Sequence, residues 1–109
     1  MTTDTQAHIK NLINDNRIIL FMKGTASFPQ CGFSYQVVNI LQSYQTPFTC
    51  INVLEDENIR QGIKTYTNWP TIPQLYINGE FVGGCDIIKE CHENGELKPM
   101  IAAAETTAD

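Results

Sequence analysis

At 109 residues, with 42% hydrophobic residues, 17% charged residues and a formal charge of −5, the chain has the composition of one soluble domain, residues 1–109, able to bury a core without staples. The acidic balance argues against a non-specific nucleic-acid binder, which needs a basic face for phosphates. No apolar run approaches the roughly eighteen residues of a membrane span, and the N-terminus lacks both the apolar run of a secretory signal and the arginines of a transit peptide, so the cytoplasm is the expected compartment.

Taken in order, Thr3 and Gln6 have the spacing of a capping box, and Ile9, Leu12 and Ile13 give a helical stripe ending near Asn14. The apolar run at 17–22 predicts a central strand buried on both faces, and 23–30, with Gly24 and Pro29, a loop. From Cys31 to Tyr44, apolar residues at Phe33, Val37, Ile40, Leu41 and Tyr44 predict a helix in which Phe33 packs inward. A second strand over 48–53 follows the Pro47 turn. The acidic start of 55–68 suits a helix N-terminus, with Ile59, Ile63 and Tyr66 inward and Gly62 a modest weakness. A strand over 73–79 runs through the Asn78–Gly79 turn into a return strand over 80–84. Asp86 is the expected N-cap of a helix with Ile87, Ile88 and Cys91 inward, stopped by Gly95. A last short helix holds Pro99 in its first turn, and residues 102–109 are expected to fray. This order gives an α/β fold of the thioredoxin-like plan: a mixed four-stranded sheet with helices on both faces.

In a reducing compartment the four cysteines (31, 50, 85 and 91) point to chemistry, metal binding or packing rather than a disulfide framework, and their spacing lacks the paired knuckles of a one-chain zinc site. Cys31 stands just after a strand, at a helix N-terminus whose N–H groups and dipole favour a thiolate, and Lys23 adds positive charge. An inert buried thiol is the alternative, and the loop-to-helix junction speaks against it. The second cysteine of a C-x-x-C pair is replaced by Ser34, so the motif cannot close its own disulfide. Pro73 can start a strand, and a cis bond before it would turn the Ile72 backbone outward as a docking edge. Gly83, Gly84, Cys85 and Asp86 read either as an anion-binding helix start or as a tight turn with a good cap. Arg60 and Lys64, four apart on a helix, are ordinarily a solvated face.

Together "MKGT…PQCGFS" and "NWPTIPQLYINGEFVGGCDI" resemble the monothiol glutaredoxins of the CGFS type, over roughly residues 3–104 and most closely the short single-domain bacterial kind. The resemblance implies a glutaredoxin fold, bound glutathione and a 2Fe–2S cluster bridging two subunits. It makes Cys31 the catalytic thiol and cluster ligand. Lys23 and Arg60 match contacts to the glycine carboxylate of glutathione. Ile72, before a cis Pro73, matches the edge that pairs with its cysteine, and Cys85 and Asp86 match the site of its γ-glutamyl end. Cys91 lies outside the motifs and reads as packing.

A 2Fe–2S cluster wants four thiolates, and one chain offers one well-placed thiol, so two chains and two glutathiones complete the set. The leading expectation is thus an iron–sulfur carrier acting in cluster transfer to apo iron–sulfur proteins and in iron homeostasis, monomeric without cluster and a homodimer with it. Two others stand beside it: a glutathione-dependent thiol–disulfide oxidoreductase working through Cys31, and a regulatory module with a BolA-like partner. The helices show little apolar surface to hold two acidic copies together otherwise.

Overall fold

In the computed structural model the backbone is described for residues 2–106 and the side chains for residues 4–104. The elements run α1 (Thr2–Asp15), β1 (Ile18–Met22), α2 (Gly32–Gln42), β2 (Thr49–Asn52), a 3₁₀ turn (Val53–Glu55), α3 (Glu57–Thr67), β3 (Gln74–Ile77), β4 (Glu80–Gly83), α4 (Cys85–Glu93) and α5 (Leu97–Thr106). The four strands form one mixed sheet in the order β2-β1-β3-β4, with β1 and β2 parallel and the other two pairings antiparallel. The β1-α2-β2 unit supplies the crossover that parallel pairing requires.

β1 is buried at every residue, as a strand covered on both faces must be, and its side chains alternate between two cores. Ile18, Leu20 and Met22 join Val37, Val38 and Leu41 of α2, Ile88 of α4 and Leu97 of α5. Ile19 and Phe21 join Ile9 and Ile13 of α1 and Ile59 and Ile63 of α3, with Tyr76 of β3. The helices therefore divide between the two faces, as the element order predicts.

Local chemistry explains the boundaries. Asp56 caps α3, accepting from the N–H groups of Asn58 and Ile59 at 3.0 and 3.3 Å. Asn68 ends α3 in the left-handed conformation, and Asn78 and Gly79 both take positive φ in the hairpin turn. Gly95, at φ +86°, follows the end of α4 as expected. Pro99 falls in the first turn of α5.

Several expectations are corrected. α1 begins at Thr2, ahead of the expected cap Thr3, whose side chain lies outside the described residues. Gln6 does not close a capping box: its amide donates to the Gly62 carbonyl at 2.9 Å, tying α1 to α3. Gly62 is less a weakness than a contact point, since a Cβ there would meet Thr5 and Ile9 at 2.8 and 2.9 Å. α2 ends before Tyr44, and its inner stripe is Ser34, Val37, Val38 and Leu41, which leaves Phe33 57% exposed. α4 is capped by Gly84, not Asp86; the earlier start keeps Ile88 and Cys91 inward and turns Ile87 out. Tyr66 is also exposed, although its ring meets Tyr76 edge-on at 6.4 Å. The predicted fraying includes residues 102–106, yet α5 runs through them and buries Ala104; residues 107–109 lie outside the described residues.

Candidate functional site

The turn after β1 is built to deliver one thiol. The Lys23 carbonyl accepts from the Gln30 N–H at 2.9 Å, and Thr25 and Phe28 exchange backbone bonds of 3.2 and 3.1 Å. Gly24 is required here: its φ is +96°, and a Cβ would stand 2.5 Å from the Gln30 nitrogen. Its N–H is held by the Asn52 side chain at 2.9 Å, which fastens the turn to the end of β2. Cys31 emerges from this turn in extended conformation as the N-cap of α2, and its carbonyl accepts from the Tyr35 N–H at 2.9 Å.

At that position partial burial alone would push the Cys31 thiol up. The backbone N–H groups of Ser34 and Phe33, the Lys23 ammonium and the Ser34 hydroxyl outweigh it and hold the thiol below its ordinary value. Ser34, fully buried, also accepts from the Lys23 N–H at 3.2 Å. The residue that replaces a second cysteine thus ties the end of β1 to the first turn of α2 and favours the thiolate. The other three cysteines go the opposite way, chiefly through burial: Cys50 is pushed up to about 11, and Cys85 and Cys91 are raised. All four thiols are free.

Beside Cys31 lies a cleft of about 440 Å³. Of the six residues singled out in the sequence, Lys23, Cys31, Ile72, Cys85 and Asp86 line it together. Lys23 ends the β1 side, the Ile72–Pro73 peptide is cis, as the resemblance implies, and Cys85 and Asp86 form the first turn of α4. Gly83, at φ +149°, lets α4 start against β4, since a Cβ there would meet that of Ile87 at 2.6 Å. The Cys85 thiol donates to the Gln36 side-chain oxygen of α2 at 3.7 Å.

Arg60 is not brought to the cleft lining. It pairs with Glu57 at 3.8 Å, and its Nε is buried with no hydrogen-bond partner among the described residues. One turn later on the same helix, Lys64 lines the cleft instead, so its sequence reading as a solvated face is corrected. Gly84, read as part of a candidate anion-binding helix start, also lines the cleft, whereas sequence reasoning missed Trp69 and Thr71. The helix spacing of Arg60 and Lys64 gave no sign that the lysine reaches the cleft, and the Trp69–Thr71 loop carries no periodicity to read.

The arrangement joins an accessible thiol biased toward thiolate, two lysines and a helix N-terminus facing one cleft. These are the elements for holding an anionic thiol ligand beside a nucleophile. Among the described residues no three His, Cys, Asp or Glu side chains gather to hold a metal ion, and no helix is long and apolar enough to cross a membrane.

Comparison with known proteins agrees with this geometry. The glutaredoxin family model matches residues 18–82, from β1 into β4. An uncharacterized monothiol glutaredoxin of Synechocystis, ycf64-like, is 55% identical over 104 residues, covering 95% of this chain and 97% of the relative. The solution structure of reduced apo GrxS14 from poplar shares 50% identity, with a TM-score of 0.80 over 93% of both chains. At the level of the fold alone, a buckwheat glutaredoxin–glutathione complex superposes with a TM-score of 0.85 at 23% identity, over 95% of this chain and 93% of that one. With Cys31 and Ser34 in the place of a cysteine pair, and with these relatives along nearly its full length, the chain belongs to the glutaredoxin family, among its monothiol members.

Proposed function

We propose that the chain binds glutathione in the cleft beside Cys31 and, with a second copy, holds a 2Fe–2S cluster for transfer to apo iron–sulfur proteins. The observation that carries this reading is that Cys31 is the one thiol pulled below its ordinary value, in a cleft that also presents Lys23, Lys64 and the start of α4. A tripeptide with two carboxylates finds a cation or helix N-terminus for each, and the buckwheat protein of the same fold is seen with glutathione.

The donor set fits the cluster only as a shared ligand. Four thiolates are needed, and the described residues of one chain offer one thiol with the right exposure and charge. Cys31 of each copy would hold it, with two glutathione thiolates completing the set; the cluster itself supplies the labile iron–sulfur unit. Lys23, Lys64 and the α4 N-terminus bind and orient the glutathione. Ser34 offers no second thiol within the motif to displace a sulfur bound at Cys31. We place this activity in the cytoplasm, with a BolA-like protein as a further candidate partner.

A second reading rests on the same lowered thiol. The Cys31 thiolate can attack the glutathione sulfur of a protein mixed disulfide, releasing the protein thiolate and forming a Cys31–glutathione disulfide. A second glutathione then attacks that bond, leaving oxidised glutathione and free Cys31.

Anaerobic reconstitution with iron, sulfide and glutathione, followed by visible spectroscopy and light scattering, tests the first reading. The wild type should turn brown and dimerise, and Cys31→Ser should do neither, an alcohol being a poor ligand for a soft site. Cys50→Ser and Cys91→Ser should keep the cluster. A Cys31→Ser protein that still assembles a glutathione-dependent cluster would overturn the assignment. Turnover of a small glutathione mixed disulfide by a colourless protein would favour the second reading.

A further inference from the structure

Gln74 opens β3 and is completely buried. Its amide nitrogen donates to the Trp69 carbonyl at 3.0 Å and the Thr71 carbonyl at 3.2 Å. Its oxygen accepts from the Tyr76 hydroxyl at 3.0 Å and lies 3.2 Å from the Thr67 hydroxyl, which also reaches the Ile63 carbonyl at 2.9 Å. Only the NH₂ end can serve two carbonyls, so the network fixes which way the amide points.

The two ends of this amide face different parts of the molecule. The oxygen looks to the last turn of α3 and to a core tyrosine, while the nitrogen holds the loop that forms one wall of the cleft. That wall meets α4 closely: the Trp69 indole nitrogen is 3.3 Å from where a Cβ on Gly84 would stand. Trp69 also packs on Phe81 at 5.7 Å, and Phe81 on Tyr76 at 5.3 Å, so ring contacts alone leave the loop backbone to be fixed by other means. A polar side chain filling a core without such a task would be replaceable by an apolar one at little cost, whereas here two backbone carbonyls of the cleft wall would lose their part-buried donors.

We infer that Gln74 is a positioning residue, whose two donated hydrogen bonds hold the Trp69–Thr71 loop at the spacing from α4 that glutathione binding requires. The inference rests on glutathione occupying this cleft. Gln74 touches no ligand itself and acts through the loop.

The test compares Gln74→Met, close in volume but without donors, with Tyr76→Phe, which removes a donor to the same amide and leaves both loop bonds in place. Three quantities are read: thermal midpoint, glutathione affinity by calorimetry, and acrylamide quenching of Trp69, the single tryptophan, in protein without ligand. Both variants should lose thermal stability. Only Gln74→Met should weaken glutathione, by roughly tenfold, the equivalent of about one net hydrogen bond of ordering, and only it should open Trp69 to quencher. Equal effects of the two variants on affinity and quenching, or no effect of Gln74→Met on either, would overturn the inference. If wild-type protein binds no glutathione, the ligand reading fails, and quenching alone decides the positioning role on the same terms. Should Gln74→Met not fold, Gln74→Glu replaces it with the same expectations, keeping the oxygen for Tyr76 while its carboxylate cannot donate to the loop.

Discussion

Alkylation should single out Cys31 among four free thiols, and the size of its advantage follows from the electrostatics of each site. Cys31 is held below 9.0, whereas burial in β2 takes Cys50 to about 11. At neutral pH that difference alone makes the Cys31 thiolate fraction larger by roughly a hundredfold or more. The more basic thiolate is intrinsically the better nucleophile, with a Brønsted coefficient of about 0.4–0.5, which returns part of the difference and leaves a net advantage of roughly tenfold. Cys85 and Cys91 are raised and buried, so access widens the gap. Iodoacetamide at limiting dose, quenched at about one adduct per chain and mapped by mass spectrometry, reads the partition. Repeating the rate from pH 6 to 9.5 reads the sign: for a thiol held down, the rate rises with pH and levels off around a midpoint below 9.0. Lys23→Gln should move that midpoint upward, because it removes the ammonium that favours the thiolate. Equal labelling of Cys31 and Cys50, or a Cys31 midpoint at or above that of a free thiol, would refute the account of the site.

Two further outcomes are expected. Lys23→Gln and Lys64→Gln should each weaken glutathione by on the order of 1–3 kcal/mol, as for one charge-assisted hydrogen bond, with little change in the thermal midpoint of ligand-free protein. Arg60→Ala should leave the affinity nearly unchanged, since Arg60 pairs with Glu57 outside the cleft lining; a loss as large as that of Lys64→Gln, read by calorimetry, would move the second carboxylate contact to Arg60. Asp56→Ala removes the acceptor for two N–H groups at the start of α3 and should cost about 1 kcal/mol. For a domain near this size that is a drop of roughly 4–8 °C in thermal midpoint, and a shift under one degree would show that α3 does not depend on its cap.

The fold was legible because its signals are periodic. A fully apolar run marked β1, Asn78–Gly79 marked the hairpin, and Gly95 and Pro99 fell where helix ends accept them. Two of the misses, Phe33 and Ile87, are matters of helix phase. Counting α2 from Cys31 rather than Gly32 put Phe33 on the inner stripe, and capping α4 at Asp86 rather than Gly84 did the same for Ile87. In both cases the misplaced residue turned out to line the cleft. Within the contiguous motifs Cys31, Ile72, Cys85 and Asp86 were found and Trp69 and Thr71 were not; Lys64, outside any motif, reaches the cleft only through three-dimensional convergence. Lys64 looked like surface because helix spacing cannot say what loop crosses above it. Gln74 falls inside the strand expected over 73–79, and only the folded loop shows its amide bonded at both ends.

The exposed side chains around Cys31 bear on how two acidic copies can meet. The sequence promised little apolar surface, yet Phe28, Phe33 and Tyr35 flank the thiol in the chain at 73, 57 and 56% exposure, and Trp69 and Ile87 line the cleft while partly exposed. A wholly buried aromatic side chain covers about 150–250 Å², so the three flanking rings offer roughly 300–400 Å². A stable interface takes about 800 Å² from each partner. The rim is thus too small to hold a dimer by itself against a charge of −5 on each copy, but large enough to favour docking at the thiol over docking elsewhere. Under the proposed function, association then depends on what bridges the two Cys31 sulfurs. Removing the bridge by chelating iron, or withholding glutathione, should return a dimer to monomers, whereas an interface resting on apolar area would survive both.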